Sequence, residues 1–169
     1  MSREQIEAEL RLRVGVEAII WLPYGEAAED ETDGHVDGSA AFVRPGVVLA
    51  QTNPDSGHPD HERMLANLEV LRSTRDACGR TLQVIELPCY SATDVGGTVL
   101  SVPYLNIYMI NGAVIVPLGL HHSDDDALAI IAGAFPDHEV VGVPANVIAH
   151  GGGGPHCITQ QVPVSATLA

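Results

Sequence analysis

Tyr104-Leu105-Asn106-Ile107-Tyr108-Met109-Ile110-Asn111-Gly112-Ala113-Val114-Ile115-Val116-Pro117 sets two apolar, β-rich runs on either side of an Asn-Gly pair. Asn and Gly tolerate the positive φ angles of a two-residue hairpin turn, so the stretch predicts antiparallel strands over 104–110 and 113–117. Ser123, with Asp126 three residues on, is placed to cap a helix running through Phe135, and His138 to Val143 reads as a further strand. The order spelled out is strand, strand, helix, strand.

The same order lies upstream. Gly38 to Val43, the turn Arg44-Pro45-Gly46, and Val47 to Gln51 predict a hairpin. Asn53 to Pro59 is loop. Met64, Leu65, Leu68 and Leu71 follow helical spacing between Asp60 and about Arg75, the pattern ends at Cys78-Gly79, and Thr81 to Leu87 is the next strand. The two regions share no obvious residue identity, so the repetition is one of architecture: a repeated ββαβ unit. Residues 88–103 between them are rich in breaks and read as a long surface loop. At the N-terminus, Ser2 and Gln5 form a capping box for an amphipathic helix over 2–13, stopped by Gly15, and Val16 to Leu22 reads as a buried strand ending at Pro23. No linker-like segment divides the chain, which predicts one domain over 1–169.

Composition narrows the function. The 169 residues are 46% hydrophobic and 4% aromatic, an ordinary α/β balance. Eight basic against 22 acidic residues give a net charge of −14, which disfavours nucleic acid and favours small cations. The charged N-terminus lacks a signal-peptide core and no apolar run approaches a membrane span, so the expectation is a cytoplasmic protein. Cys78, Cys89 and Cys157 are odd in number and widely spaced, which predicts reduced thiols rather than disulfides or a zinc ribbon.

Two stretches carry candidate chemistry. Gly151-Gly152-Gly153-Gly154-Pro155-His156-Cys157-Ile158-Thr159-Gln160-Gln161 places a thiol behind four glycines, where main-chain N–H groups can approach whatever Cys157 faces. A flexible turn with an apolar cysteine is the alternative at this point. Far upstream, Glu31, Asp33, His35 and Asp37 alternate, and in an extended chain alternate residues share a face. Three carboxylates and an imidazole on one face suit a clamp for a cation; a solvated acidic loop is the plainer reading. His58 with His61, His121 with His122, and His156 have no H-E-x-x-H or C-x-x-C companion, so surface histidines are preferred to a metal site. Asn106, within its apolar strand, is either a site group or a residue bonded to a neighbouring loop, and spacing leaves both open.

Taken in order, Glu31-Thr32-Asp33-Gly34-His35-Val36-Asp37, Phe42-Val43-Arg44-Pro45-Gly46, Tyr104 to Gly112, Phe135-Pro136 to Val143, and Gly151 to Gln161 resemble the agmatine deiminase branch of the peptidyl-arginine deiminase family. The resemblance spans nearly the whole chain. It implies an α/β fold of the pentein type, in which five ββαβ units surround a central site, with about three of the five blades here. It also implies that Cys157 is the nucleophile, His35 the acid/base and Asp37 the carboxylate on the substrate guanidinium. Asp33, Glu31, Gly152 and Gly153 become substrate-binding candidates, and neither cofactor nor metal is called for. The implied reaction is hydrolysis of agmatine to N-carbamoylputrescine and ammonia. A peptidyl-arginine deiminase, and an inactive remnant that binds cations or partners, are the alternatives.

Two departures accompany the resemblance. Family members have Gly-Gly-Gly-Asn-Ile before His-Cys, where this chain has Gly153-Gly154-Pro155, which predicts a differently shaped loop. Members are also roughly twice as long, and their N-terminal half carries a Trp-x-Arg-Asp-x-Gly-Pro segment whose Asp is a second guanidinium clamp. Only Arg75-Asp76 echoes it here, so the chain corresponds to a C-terminal half. The expected partners are a small guanidinium cation and, for blade faces left uncovered, a second copy or a complementing N-terminal half. Uncovered apolar faces and strand edges predict self-association at micromolar concentration despite the net charge of −14. Light scattering checks this; a monodisperse, cooperatively melting 17.8 kDa monomer would contradict it.

Overall fold

The computed structural model describes residues 1–27, 34–89, 93–95, 98–100 and 102–162. Helix α1 (Arg3–Val14) begins at Ser2, whose hydroxyl accepts the Gln5 N–H while the Gln5 side chain accepts the Ser2 N–H. It ends at Gly15, whose φ of 74° takes the left-handed conformation that closes a helix. The helix forms where expected, but none of its residues is fully buried. The extended segment 16–22 is tied back to α1 by the Trp21 indole, which donates to Glu7 at 2.8 Å.

Segment 16–22 departs from the reading of Val16 to Leu22 as a strand. Ile20 and Leu22 do pack on the cluster of Val48, Ala50, Leu68, Leu71 and Leu82. No ladder partner faces them among the described residues, and a strand needs a neighbour for its N–H and C=O groups. Leu12, Val14, Val16 and Trp21 are exposed. Helix followed by extended chain has the order of the second half of a ββαβ unit, without a ladder.

The short helix α2 (Val36–Ser39) leads into strand β1 (Ala40–Arg44), which pairs antiparallel with β2 (Val47–Thr52). Helix α3 (Asp60–Ser73) covers that sheet and returns the chain to β3 (Gln83–Pro88), parallel to β2. Residues 88–103 are not all loop: β4 (Thr93–Val95) and β5 (Thr98–Leu100) form a small antiparallel hairpin. Then β6 (Tyr108–Ile110) pairs antiparallel with β7 (Ala113–Leu118), α4 (Asp124–Ala134) crosses, and β8 (Glu139–Pro144) lies parallel to β7. Gly112 at the turn has a φ of 80°, as the Asn-Gly reading requires. Helix α5 (Asn146–Ala149) is the last helix among the described residues. Among the described residues two complete ββαβ units are thus present, preceded by α1 and its extended segment.

Two local readings give way to tertiary contacts. Ser123 precedes α4 without capping it; its hydroxyl lies 2.8 Å from Tyr104 Oη and 2.7 Å from His121 Nδ1. Residues 104–107 form a buried turn, with the Asn106 N–H donating to Pro103 C=O at 3.0 Å, and the strand starts only at Tyr108. A polar side chain deep in an apolar run has been given a partner by bending the backbone rather than by a ladder.

The units share one core. Leu49 and Leu87 from the first pack with Leu105, Ile107, Val114, Val116, Ile131 and Phe135 from the second. Arg44 bridges them, donating to the Ala134 carbonyl at 2.9 Å. Ile131→Ala, at a fully buried position, should cost about 2–5 kcal/mol in denaturant unfolding. A shared core also requires both units to unfold in one transition, which far-ultraviolet circular dichroism and the near-ultraviolet signal of buried Tyr104 would report as coincident curves.

Candidate active site

Three chain segments supply the site: the start of α2, the buried turn before β6, and the glycine loop after α5. His35 is extended, with φ −113° and ψ 136°, and the chain then turns into α2, so Asp37 lies in a helical first turn. The reading of 31–37 as one extended stretch therefore fails at its end, yet His35 Nδ1 and Asp37 Oδ1 are in contact. The imidazole lies against Gly38, where a Cβ would stand in ordinary contact, 3.4 Å from His35 Nε2. Glu31 and Asp33 fall outside the described residues.

Approach to this region is set by α3. Buried Asn67 brackets Tyr24, accepting its N–H at 3.2 Å and donating to its C=O at 2.8 Å, and Asp60 accepts the Ala27 N–H at 2.6 Å. Segment 24–27 is thereby pinned to the helix that covers the first sheet.

In the glycine loop each glycine from 152 to 154 answers a different demand. Gly152 has a φ of 78°. A Cβ on Gly153 would stand 2.8 Å from Cys157 Cβ and 3.0 Å from its sulfur, and one on Gly154 would stand 2.7 Å from Asn106 Oδ1. Pro155 is buried, and the Cys157 N–H donates to Gly154 C=O at 3.1 Å. The result is a tight turn with an exposed thiol, which excludes the buried, inert cysteine. Gly152 and Gly153 shape this turn: one turns the chain, the other makes room for the cysteine.

The side chains converge on Asp37. Cys157 Sγ lies 3.3 Å from Asp37 Oδ2, His156 Nδ1 2.8 Å and Asn106 Nδ2 2.7 Å from the same oxygen. Burial alone would push the Asp37 carboxyl up; the hydrogen bond from Cys157 and the charges of His35 and His156 outweigh it and hold the group below its ordinary value. Asn106 and His156 escaped assignment in the sequence. The one available signal was an amide inside an otherwise apolar run.

His61 and His121 are employed elsewhere: His61 Nδ1 lies 2.7 Å from the Asn53 carbonyl and His121 Nδ1 binds Ser123. Sulfur, carboxylate and imidazole atoms of Cys157, Asp37 and His35 lie within 4.8 Å of one another, a spacing on which a metal could also sit. Both Asp37 oxygens are already engaged by hydrogen-bonding partners, which suits a nucleophile with its proton carrier and an anchoring anion.

Residues 1–163 match the Porphyromonas-type peptidyl-arginine deiminase family, and the chain belongs to it. The agmatine deiminase of Pseudomonas putida is 41% identical, over 96% of this chain and 49% of its own length. The solved agmatine deiminase of Enterococcus faecalis superposes with a TM-score of 0.88 at 33% identity, covering 96% of this chain and 49% of that one. A cysteine-to-serine variant of C. jejuni agmatine deiminase, solved with substrate bound, gives a TM-score of 0.83 at 27% identity, over 92% and 45%. The chain spans about half the length of the curated relatives it matches. Its fold is the pentein type, in part.

Gly153→Ala should displace the thiol with little effect on the shared core: alkylation of Cys157, followed by peptide mass spectrometry, should slow several-fold while the melting curve stays in place. A second outcome follows from Asp37. Its carboxyl is held below the ordinary 3.8, so the stability it contributes is complete above that value and is lost as pH falls through the lowered one. Asp37→Asn should flatten the acid limb of the stability curve between pH 4 and the acid end (~4 being the ordinary carboxylate range), as acid titration would show.

Proposed function

We propose that this chain carries the nucleophilic half of an agmatine deiminase. The observation that supports the reading most is the meeting of Cys157, His35 and Asp37 on separate segments, with sulfur, imidazole and carboxylate atoms within 4.8 Å. A guanidinium carbon is a poor electrophile because its charge is delocalised. Attack on it calls for a thiolate held in line.

In this reading the Cys157 thiol passes its proton to His35, which frees Asp37 from that donor to accept charge-assisted hydrogen bonds from the planar cation, and the Cys157 thiolate attacks the central carbon. His35 gives a proton to the departing nitrogen, which leaves as ammonia, and the carbon remains bound to sulfur as a thiouronium. The same imidazole then takes a proton from water; the oxygen adds to the carbon, the C–S bond breaks, and the thiolate returns. Agmatine plus water gives N-carbamoylputrescine and ammonium, a step toward putrescine. The acidic stretch holding Glu31 and Asp33 suits the primary amine at the far end of agmatine, and Gly152 and Gly153 supply open main chain beside the thiol.

In the resembling family a second clamping carboxylate comes from the other half, so a complementing N-terminal half, or a second copy, is the proposed macromolecular partner. One domain over 1–169, working in the cytoplasm with reduced thiols, is the setting this reading requires. Among the described residues no helix is long and apolar enough to cross a membrane, and Cys157 and Cys78 are exposed.

The chain, alone and co-expressed with the N-terminal half of the P. putida relative, is assayed with agmatine for ammonia and a ureido product. Ammonia release that Cys157→Ala abolishes, by at least about 1,000-fold, is the expected result for a covalent nucleophile. Retained activity in Cys157→Ala would refute the assignment. Calorimetric binding of agmatine without ammonia in either preparation would favour an inactive cation-binding module instead. Turnover of arginyl peptides but not agmatine would move the substrate to protein arginine.

A further inference from the structure

Asn106 is fully buried, and all of its hydrogen-bonding capacity is used. One Nδ2 hydrogen points at Asp37 Oδ2, 2.7 Å away, and the other at Cys157 Sγ, 3.0 Å away. Oδ1 accepts from the His156 N–H at 3.0 Å and the Cys157 N–H at 3.4 Å. The orientation is fixed by these partners, because the flipped amide would aim its oxygen at a carboxylate and its hydrogens at two N–H donors. The backbone is held as well: Asn106 N–H donates to Pro103 C=O at 3.0 Å, and the flanking Leu105 and Ile107 are core residues. On the opposite side Gly154 is the only residue type that lets the loop come this close, since a Cβ there would lie 2.7 Å from Oδ1.

The two ends of one amide therefore act on different things. Oδ1 holds the loop, and Nδ2 faces the reacting sulfur and the carboxylate beside it. A thiolate 3.3 Å from an ionised Asp37 is opposed by like charge, and a donor shared between sulfur and carboxylate offsets that repulsion. The titratable groups around Sγ among the described residues are Asp37 from α2, His35 at its start and His156 in the cysteine's own loop. A second uncharged donor does not compete with them for protons.

We propose that Asn106 is a positioning residue that sets the Cys157 thiol against Asp37 and stabilises its thiolate form, an inference that rests on reading Cys157 as the nucleophile. Asn106→Asp separates the two ends: it keeps the shape and the acceptor for the loop and replaces the donor with an anion. The readout is the rate of Cys157 alkylation by iodoacetamide against pH, resolved by peptide mass spectrometry, with the exposed Cys78 as internal reference. The midpoint should rise by about one pH unit or more, and Cys157 alkylation near pH 7 should fall about tenfold with Cys78 unaffected. Because the new charge would raise the midpoint by itself, the neutral isostere Asn106→Leu is measured beside it: the midpoint should rise there too, and an Asn106→Leu midpoint that stays where it was overturns the proposal.

Should Asn106→Asp fail to fold, the unmodified chain still answers. The side-chain amide resonances of Asn106, followed by nuclear magnetic resonance, should shift with the same midpoint as Cys157 alkylation, and amide resonances that stay flat through that midpoint overturn the idea. Neither measurement needs turnover. A chain that releases no ammonia yet shows the shift loses the proposed function and keeps this inference; one that turns over agmatine with an unmoved midpoint does the reverse.

Discussion

One carboxylate oxygen, Asp37 Oδ2, is shared by a thiol, an imidazole and an amide drawn from parts of the chain up to 120 residues apart. An anion at that depth persists only if donors replace the water it has lost. Cys157, His156 and Asn106 do so, and His35 engages the other oxygen. Each donor is in turn held by its own segment, so the carboxylate fixes the relative positions of α2, the turn before β6 and the glycine loop. Loss of any one donor would leave the others facing a less compensated charge.

The fold supplies the rigidity this requires. Because the two ββαβ units share a core, the turn carrying Asn106 is anchored between Leu105 and Ile107 while β1 leads directly out of α2. The glycine loop comes in last and conforms to what is already there. Gly153 and Gly154 are places where side chains would strike Cys157 or Asn106, which connects these two glycines to packing rather than to flexibility. The exchange of the family's Asn-Ile for Gly154-Pro155 falls in the same place: Pro155 is buried and the loop approaches Asn106 without a side chain of its own.

The N-terminal region behaves differently. Helix α1 has strong local signals and forms on them, through its capping box and glycine stop, without burying a residue. Its surface ion pairs, such as Arg3 with Glu7, add little to stability in water. Segment 16–22 has strand composition and only one covered side. Composition tells a segment what surface it would bury, while a strand also needs a neighbour of the right register, which composition cannot provide.

By itself the sequence determined the order of elements in both ββαβ units, the Asn-Gly turn, the helix stop at Gly15 and the pairing of a His-Val-Asp segment with a distant Cys, because each depends on local dihedral preference, periodicity or a specific motif. Tertiary structure alone decided the rest. Ser123 gave up its cap for Tyr104 and His121, residues 104–107 became a turn rather than strand, and Asp37 entered a helix instead of continuing an alternating face. Asn106 stood open between two readings until its neighbours were in place. A buried amide has the same local propensities whether it serves a loop or a thiolate, and only the distances from its two ends to Asp37, His156 and Cys157 tell which partners it has.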